Sequence, residues 1–592
     1  MKPNMRSKKT PKIRTDTMAF DRSYWLMICL ALCFIIVAFT GMPVFKNPQL
    51  EPDDFRYLHQ VQLLNQDFAG NILKASVVEN RWDHLWWIDV KEKVRFFRPT
   101  IMLSYWLDVT IYGKNYQMGL LLTNMLLYAG CVLLACLIFF RWFGAGLSLL
   151  GSSALFASFY AHGELMWYVA GRTDSLAVLF LLGGLALHIY GKERPSLRWW
   201  ALPCFVLAAI TKELTLVLPI VLFLHDLWIE RRSGTVTRLA KEEWKLYAAY
   251  AIIAICILWI HIRITSDASA GYPYPYFTTP QNPEFLSHLW GQLKNYCANL
   301  FFATPTYPFI NPQQTEAIVG SKGLMVGTAL LCLTTYFLYR EKKYWLLFFL
   351  ALASWLPTII AYVSERYLLL PSFALAGIIG LLLFRLEKWN RDVYYAGLIL
   401  VAVWVGHQAY SLNEKNRNLA VNPRLPQMMD QQLNDIMTRI PKGAKLLILN
   451  MPGPWVQAQF TQDQLRIQLD DPSLRATIIT MMPNTQELGA DMIVKREGEN
   501  TILLETAKGS PIMARGTDPF PWVELNSAKK YEDQSGIRIE ILKGQGEICQ
   551  ALRLVLPEVL NDYVILKWTA DPNPSFPLYY RKLHSQAKIL TL

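Results

Sequence analysis

Residues 198–228 read RWWALPCFVLAAITKELTLVLPIVLFLHDLW, and how this stretch is divided decides the fold. Read as one long helix, it reverses the direction of everything after it and puts Arg340-Glu341-Lys342-Lys343 on the outer side of a membrane. Read as two short spans broken at Thr211-Lys212-Glu213, it keeps that basic loop inside, where Lys and Arg concentrate. We therefore read two spans. Working outward, apolar stretches fall at roughly 24–41, 117–140, 145–161, 174–190, 198–212, 214–228, 246–264, 323–340, 344–362, 367–385 and 393–411. The expected fold is thus a polytopic α-helical membrane protein with about 11 transmembrane helices, each stretch being close to bilayer length.

Charge tests this count. Lys2, Arg6, Lys8, Lys9, Lys12, Arg14 and Arg22 precede the first span, which is too long for a cleaved signal peptide and lacks a small-x-small site after it. With that tail inside, the loops expected to be cytoplasmic carry Arg141; Lys192, Arg194 and Arg198; Arg231, Arg232, Arg238, Lys241 and Lys245; Arg340, Lys342 and Lys343; and Arg385, Lys388 and Arg391. The short outer loops hold chiefly Arg172, Lys294 and Arg366. This predicts a cytoplasmic N-terminus and an extracytoplasmic (periplasmic) C-terminal region, in a bacterial inner membrane. Only 18% of residues are charged and 53% are hydrophobic, against about 25% charged in soluble proteins. A purely soluble enzyme, a disordered chain and a disulfide scaffold are excluded. The net charge of +12 becomes a record of topology; the basic loops hold no nucleic-acid motif.

The chain divides into a basic tail (1–23), a transmembrane module (24–411) and a C-terminal region (412–592). The first outer loop, 42–116, contains Arg81-Trp82-Asp83-His84-Leu85-Trp86-Trp87, a tryptophan density suited to the headgroup interface, so interfacial helices are expected there. Residues 412–592 alternate a polar helix (424–440) with β-type runs at 445–449, 477–479, 502–504 and 537–541, as in a mixed α/β domain. Seven of nine cysteines lie in or beside spans; Cys297 and Cys549 do not, and whether they pair is left open. The histidines have no metal-ligand spacing.

Polar groups beside spans are costly and raise a functional question. On the outer side lie Glu51-Pro52-Asp53-Asp54-Phe55-Arg56-Tyr57, Asp89, Phe97-Arg98-Pro99, His162-Gly163-Glu164, Gly171-Arg172-Thr173-Asp174, Lys212-Glu213 and Ser364-Glu365-Arg366-Tyr367. Carboxylates and cations on one face point to a site that binds a phosphate and removes a proton. Each also has a plainer reading. Paired Asp residues cap helices or face solvent, Thr173 or Asp174 can cap the fourth span, and Arg366 can snorkel beside Glu365. Lys212-Glu213 can be a local ion pair, and His162 a structural hydrogen-bonder.

These residues together resemble the GT-C superfamily of membrane glycosyltransferases, which use polyprenyl-phosphate sugars. The likeness is greatest to the membrane part of the TMTC-type protein O-mannosyltransferases. It runs through Asp53-Asp54, Phe97-Arg98-Pro99, Gly113-Lys114-Asn115, Thr123-Asn124, His162-Gly163-Glu164, Val169-Ala170-Gly171-Arg172-Thr173-Asp174, Thr211-Lys212-Glu213 and Glu365-Arg366-Tyr367, in order over residues 50–375. The family's His-Pro-x-His is reduced to His162, and 412–592 stands where its tetratricopeptide repeats follow. A looser likeness extends to lipid A aminoarabinose transferases, at Asp53-Asp54-Phe55-Arg56-Tyr57 and Arg98-Pro99.

The resemblance implies transfer of a sugar from an undecaprenyl- or dolichyl-type phosphate to a protein, glycan or lipid acceptor at the outer face. Asp53 is then the general base, with Asp54 or Asp89 orienting it or the acceptor. Arg98, Arg172, Lys212 and Arg366 would hold the donor phosphate, and His162, Glu164, Glu213, Glu365 and Tyr367 would contact donor or acceptor. A divalent cation, magnesium or manganese, on Asp53 and Asp54 is a secondary expectation. The competing class is a transporter or lipid flippase, which would place polar groups near the bilayer midplane on broken helices, often with internal repeats; no repeat is found here.

Overall fold

The computed structural model describes residues 22–81, 85–89, 93–230, 236–265, 278–305, 318–358, 360–422, 425–452, 455–482, 492–506, 510–515, 522–569 and 586–590. The basic tail ahead of Arg22, the Trp82-Asp83-His84 part of the tryptophan stretch, and Arg231 and Arg232 lie outside the described residues. The chain enters through α1 (Arg22–Gly41), and the first loop then builds α2 (Pro52–Gln66), α3 (Phe68–Ala75), a hairpin of β1 (Val77–Arg81) and β2 (Lys93–Phe97), and α4 (Pro99–Tyr112). Local chemistry starts α2. Glu51 and Asp54 form a reciprocal capping box, and Pro52 sits at the first helical position, where its missing N–H costs nothing. Phe68 and Leu73 of α3 are exposed apolar side chains, as a helix lying along a bilayer would present.

Helices α5 (Tyr116–Phe143), α6 (Leu147–Ser158), α7 (Gly163–Trp167), α8 (Arg172–Tyr190), α9 (Ser196–Ala209), α10 (Leu218–His225), α11 (Val236–Thr265), α12 (Phe285–Phe302), α13 (Ile318–Leu338), α14 (Lys342–Trp355), α15 (Leu369–Trp389) and α16 (Arg391–Val421) follow. Every one of the eleven apolar stretches is helical, and the division at Thr211-Lys212-Glu213 is a real interruption between α9 and α10. By length and composition, seven helical stretches among the described residues suit a membrane crossing, so the chain is a multi-pass membrane protein. The count differs from the sequence reading because α6, α9, α10 and α14 have only 12, 14, 8 and 14 residues. At 1.5 Å per residue these are short of a hydrocarbon core about 30 Å thick. Amphipathic α12 was not foreseen. It packs on α13 where Gly323 lies so close that a Cβ would stand 2.6 Å from the Ala298 backbone nitrogen.

The basic loops meet at one end of the bundle. Arg141 pairs with Glu193 at 2.7 Å, Lys343 donates to the Trp142 carbonyl at 2.8 Å, and Arg198 holds Asp226 and Glu243. The opposite end carries the first loop and the C-terminal domain.

That domain contains α17 (Leu425–Met437), β3 (Lys445–Leu449), α18 (Trp455–Gln468), β4 (Arg475–Ile478), β5 (Met492–Arg496), β6 (Thr501–Thr506), β7 (Met513–Ala514), β8 (Lys530–Glu532), β9 (Arg538–Gln545), β10 (Ile548–Val555), β11 (Tyr563–Thr569) and β12 (Gln586–Leu590). One sheet runs β5-β6-β10-β9-β8 with β7 on β10, all antiparallel. The other runs β12-β11-β3-β4, with β3 parallel to both neighbours. Apolar residues of β3, β9 and β10, with Trp568, fill the core. Two expectations are corrected here. Helix α16 continues unbroken to Val421, past the expected boundary at 412. Trp86 and Trp87 are not at a lipid interface but buried in the C-terminal core: Trp86 Nε1 donates to the Ile479 carbonyl at 2.9 Å, and the Trp87 carbonyl accepts from Val523 N at 2.8 Å. The Trp86 indole gives up water there because the core also satisfies its N–H, while Trp87 is held by its backbone and by its ring contact with Trp522. All nine cysteines are free, Cys297 and Cys549 included.

Candidate active site

A cavity of about 310 Å³ opens where the first loop, three interhelical turns and α18 meet. Asp53, Arg56, Arg98, Asp174, Lys212, Glu213 and Arg366 bring charge to its wall, and Tyr57, Phe96, Tyr168, Tyr362, Tyr367 and Phe460 bring aromatic rings. Apart from Arg56, in the second turn of α2, each charged group is delivered by an element end or a turn. Asp53 lies in the first turn of α2 and accepts a hydrogen bond from the Tyr168 hydroxyl. Arg98 sits between β2 and α4, fixed by its N–H to the Ser76 carbonyl at 2.8 Å, with its guanidinium 4.3 Å from the centre of the Phe96 ring. Its Nε is buried with no hydrogen-bond partner among the described residues, a donor that an anion would satisfy.

Lys212 is supplied by the break between α9 and α10, and the Thr211 hydroxyl touches that of Thr100 at 2.6 Å, clamping this turn beside the start of α4. Asp174, in the first turn of α8, binds the Lys212 ammonium and lies 3.6 Å from Arg366 Nε. Glu164 holds the same arginine from behind, accepting from Arg366 N at 3.0 Å and from the Ser364 hydroxyl at 2.9 Å. The wall is therefore preorganised: two cations share one carboxylate, and rigid turns fix all three.

The structure thus gathers Asp53, Arg98, Lys212, Glu213, Arg366 and Tyr367 at one cavity. It does not gather the other candidates. Arg172 is wholly buried, pairing with Asp108 at 2.8 Å and donating to Asn124 at 3.0 Å and to the Leu120 carbonyl at 2.8 Å. A guanidinium so fully used is a strut for α4, α5 and α8, not a phosphate ligand. Asp54 accepts from Ala170 N and Glu51 N, each at 2.8 Å, and from the Tyr105 hydroxyl at 3.0 Å, and burial pushes its carboxyl up to about 7. With its oxygens occupied, Asp54 does not offer Asp53 a partner ligand, so the pair does not fit a shared divalent cation. The clusters with metal-ligand geometry among the described residues, Cys29-Cys33-Cys136 and His188-His225-Asp226, contribute nothing to the cavity wall. Asp89 is exposed beside the C-terminal domain. His162 is fully buried between the Tyr128 and Ser372 hydroxyls, each at 2.8 Å, the structural arrangement its plainer reading foresaw. Glu365 pairs with Lys415 at a second cavity of about 600 Å³, which Glu164 also lines.

Sequence reasoning left Tyr168, Asp174, Arg56 and Phe460 out of the site. Asp174 and Arg56 stood inside motifs already noted, one set aside as a helix cap. Phe460 comes from a domain without a motif, and nothing local marked it.

No family model matches the chain and no curated protein matches it. Solved structures do. ArnT from Cupriavidus metallidurans bound to undecaprenyl phosphate is 13% identical, with a TM-score of 0.38 over 77% of this chain and 86% of that one. The Archaeoglobus fulgidus oligosaccharyltransferase, tethered with an acceptor peptide containing the NVT sequon, is 11% identical, with a TM-score of 0.47 over 76% of this chain and 63% of that one. Its apo form gives a TM-score of 0.48 at 11% identity, over 75% of this chain and 64% of that one. This chain thus spans less than two thirds of the oligosaccharyltransferase, and the likenesses concern chain arrangement alone.

Proposed function

We propose that this protein is a GT-C-type glycosyltransferase that moves a sugar from a polyprenyl-phosphate donor to an acceptor at the outer face of the membrane. The observation that carries the reading is the meeting of Asp53 with Arg98, Lys212 and Arg366 in one cavity. Its volume, about 310 Å³, is at the small end of the range of ligand sites, roughly 300–1,000 Å³. The collinear motifs of the sequence support the same reading. The acceptor oxygen attacks the anomeric carbon while the bond from that carbon to the phosphate oxygen breaks. The electron pair leaves with the lipid phosphate, and the acceptor's proton passes to Asp53. Charge growing on the phosphate is met by Arg98, Lys212 and Arg366, whose placement costs no reorganisation during the step. Tyr168 holds the Asp53 carboxylate in position. The basic loops at the far end of the bundle support an orientation with the N-terminus cytoplasmic and the cavity outward.

Asp53→Asn tests the base. In nanodiscs with undecaprenyl-phosphate mannose or aminoarabinose as donor, it should fold normally and lose about 10²–10⁴-fold in transfer, the usual worth of a general base. Transfer at the wild-type rate would remove Asp53 from the mechanism. Donor movement across the bilayer with no cleavage would replace the enzyme reading with a flippase.

A further inference from the structure

A second opening adjoins the cavity. Helix α18 packs on α2, and between them, β1 and the C-terminal domain lies a cleft of about 470 Å³. Arg56 belongs to both spaces. Its guanidinium is 4.4 Å from the centre of the Phe460 ring on the cavity side and 3.8 Å from Asp463 on the cleft side. One turn of α18 therefore borders both, with Phe460 facing the cavity and Gln459 and Asp463 the cleft.

The two spaces differ in chemistry. Leu214, Pro357 and Ile360, beside α10 and α14, give the cavity an apolar side, one that would suit a polyprenyl chain. The cleft has no such side; Ala476 is the single apolar residue on its described wall. Its charges balance, with Arg56, Arg466 and Arg475 against Glu79, Asp463 and Asp533. The rest of the wall is amide and hydroxyl, from Gln459, Gln462, Gln534, Thr477 and Ser535. A balanced, donor-and-acceptor-rich wall gains little from a net charge or an apolar chain and much from many hydroxyl groups.

We infer that this cleft is the acceptor subsite and takes an uncharged, hydroxyl-rich glycan, whose end passes Arg56 to reach Asp53. The inference rests on the transferase reading above. It assigns the C-terminal domain the task of presenting one hydroxyl to the cavity, with the balanced step already written: that oxygen bonds the anomeric carbon, its proton goes to Asp53, and the phosphate leaves with the electron pair.

The test uses the full chain in nanodiscs, with undecaprenyl-phosphate sugar as donor. The acceptors are maltohexaose as neutral glycan, a serine- and threonine-rich peptide, and an anionic glycolipid. Maltohexaose is expected to compete best for the cleft and to slow backbone hydrogen exchange at 475–477 and 533–535. Arg475 and Gln534 are exposed on the cleft wall, so the double variant R475A/Q534A should keep the wild-type melting temperature. It should raise the KM of a glycan acceptor at least fivefold, with the loss confined to that KM. Exchange unaltered by maltohexaose and slowed by the peptide or the glycolipid would overturn the inference, as would an unchanged acceptor KM in the double variant. Failure of the transferase reading itself looks different: the wild-type chain would leave the donor uncleaved with every acceptor.

Discussion

Two arginines with similar sequence credentials have opposite fates. Arg172 and Arg366 both follow a short outer turn, yet Arg172 is enclosed with Asp108 while Arg366 faces the cavity and shares Asp174 with Lys212. Arg172→Ala is expected to strand the Asp108 carboxylate and cost about 3–5 kcal/mol, as breaking a buried pair does. Thermal melting should fall well below that of Lys212→Ala, whose defect should appear instead in donor binding; equal melting temperatures would contradict the distinction. Asp54 gives a pH signature. Its folded carboxyl titrates near 7, mainly because burial disfavours the charged form. Between about pH 4 and 7 the folded chain keeps a proton that the unfolded chain has released, so stability falls as pH rises, by an amount on the order of a few kcal/mol. Comparing thermal inactivation at pH 4.5 and 7.5, Asp54→Asn should flatten that slope, and a slope equal to wild type would refute it. At this scale the sequence marks which residues carry charge beside spans, but not which of them is consumed by a buried neighbour. Asp108 is fifteen residues from Thr123, to which it also binds, and far from Arg172, so no local pattern announces the pair.

Among elements, the segment 85–89 is the most instructive. Its tryptophans are conspicuous in the sequence, and an interfacial role was the natural inference from composition. The structure uses them as an anchor, with Trp87 against Trp522 and its backbone paired to the C-terminal domain. The first loop and that domain are therefore joined by a core contact as well as by the packing of α2 on α18. Trp87→Ala should cost about 3–5 kcal/mol in that domain. Limited proteolysis should then cut within the C-terminal domain faster than in the wild type, whereas an unaltered digestion pattern would mean that the α2–α18 packing suffices alone. The apolar helices are legible in the sequence, because apolar runs need little context, whereas amphipathic α12 is not. Partnerships such as Trp87 with Trp522 were not, because they join residues hundreds of positions apart.

For the whole molecule, the positive-inside argument predicts that the cavity and the C-terminal domain share the outer face. A cysteine introduced at Ser535 should react with a membrane-impermeant maleimide on intact cells, above the wild-type background, and one introduced at Glu341 should not; the reverse pattern would invert the topology. Helix α16 makes the two halves of the molecule one object. Its outer part is tied to the end of α1 through Asn416 to the Thr40 carbonyl at 2.8 Å, and just past it the Asn422 carbonyl accepts from Gln49 of the first loop at 3.3 Å. Because the helix is unbroken from inside the membrane to Val421, the angular phase of its outer turns is set by residue count. Each residue inserted there turns the rest of the helix by about 100° and lifts it about 1.5 Å. A single extra residue ahead of Asn416 would swing its amide away from the Thr40 carbonyl, so the spacing along this helix decides whether the two ends of the membrane module stay joined.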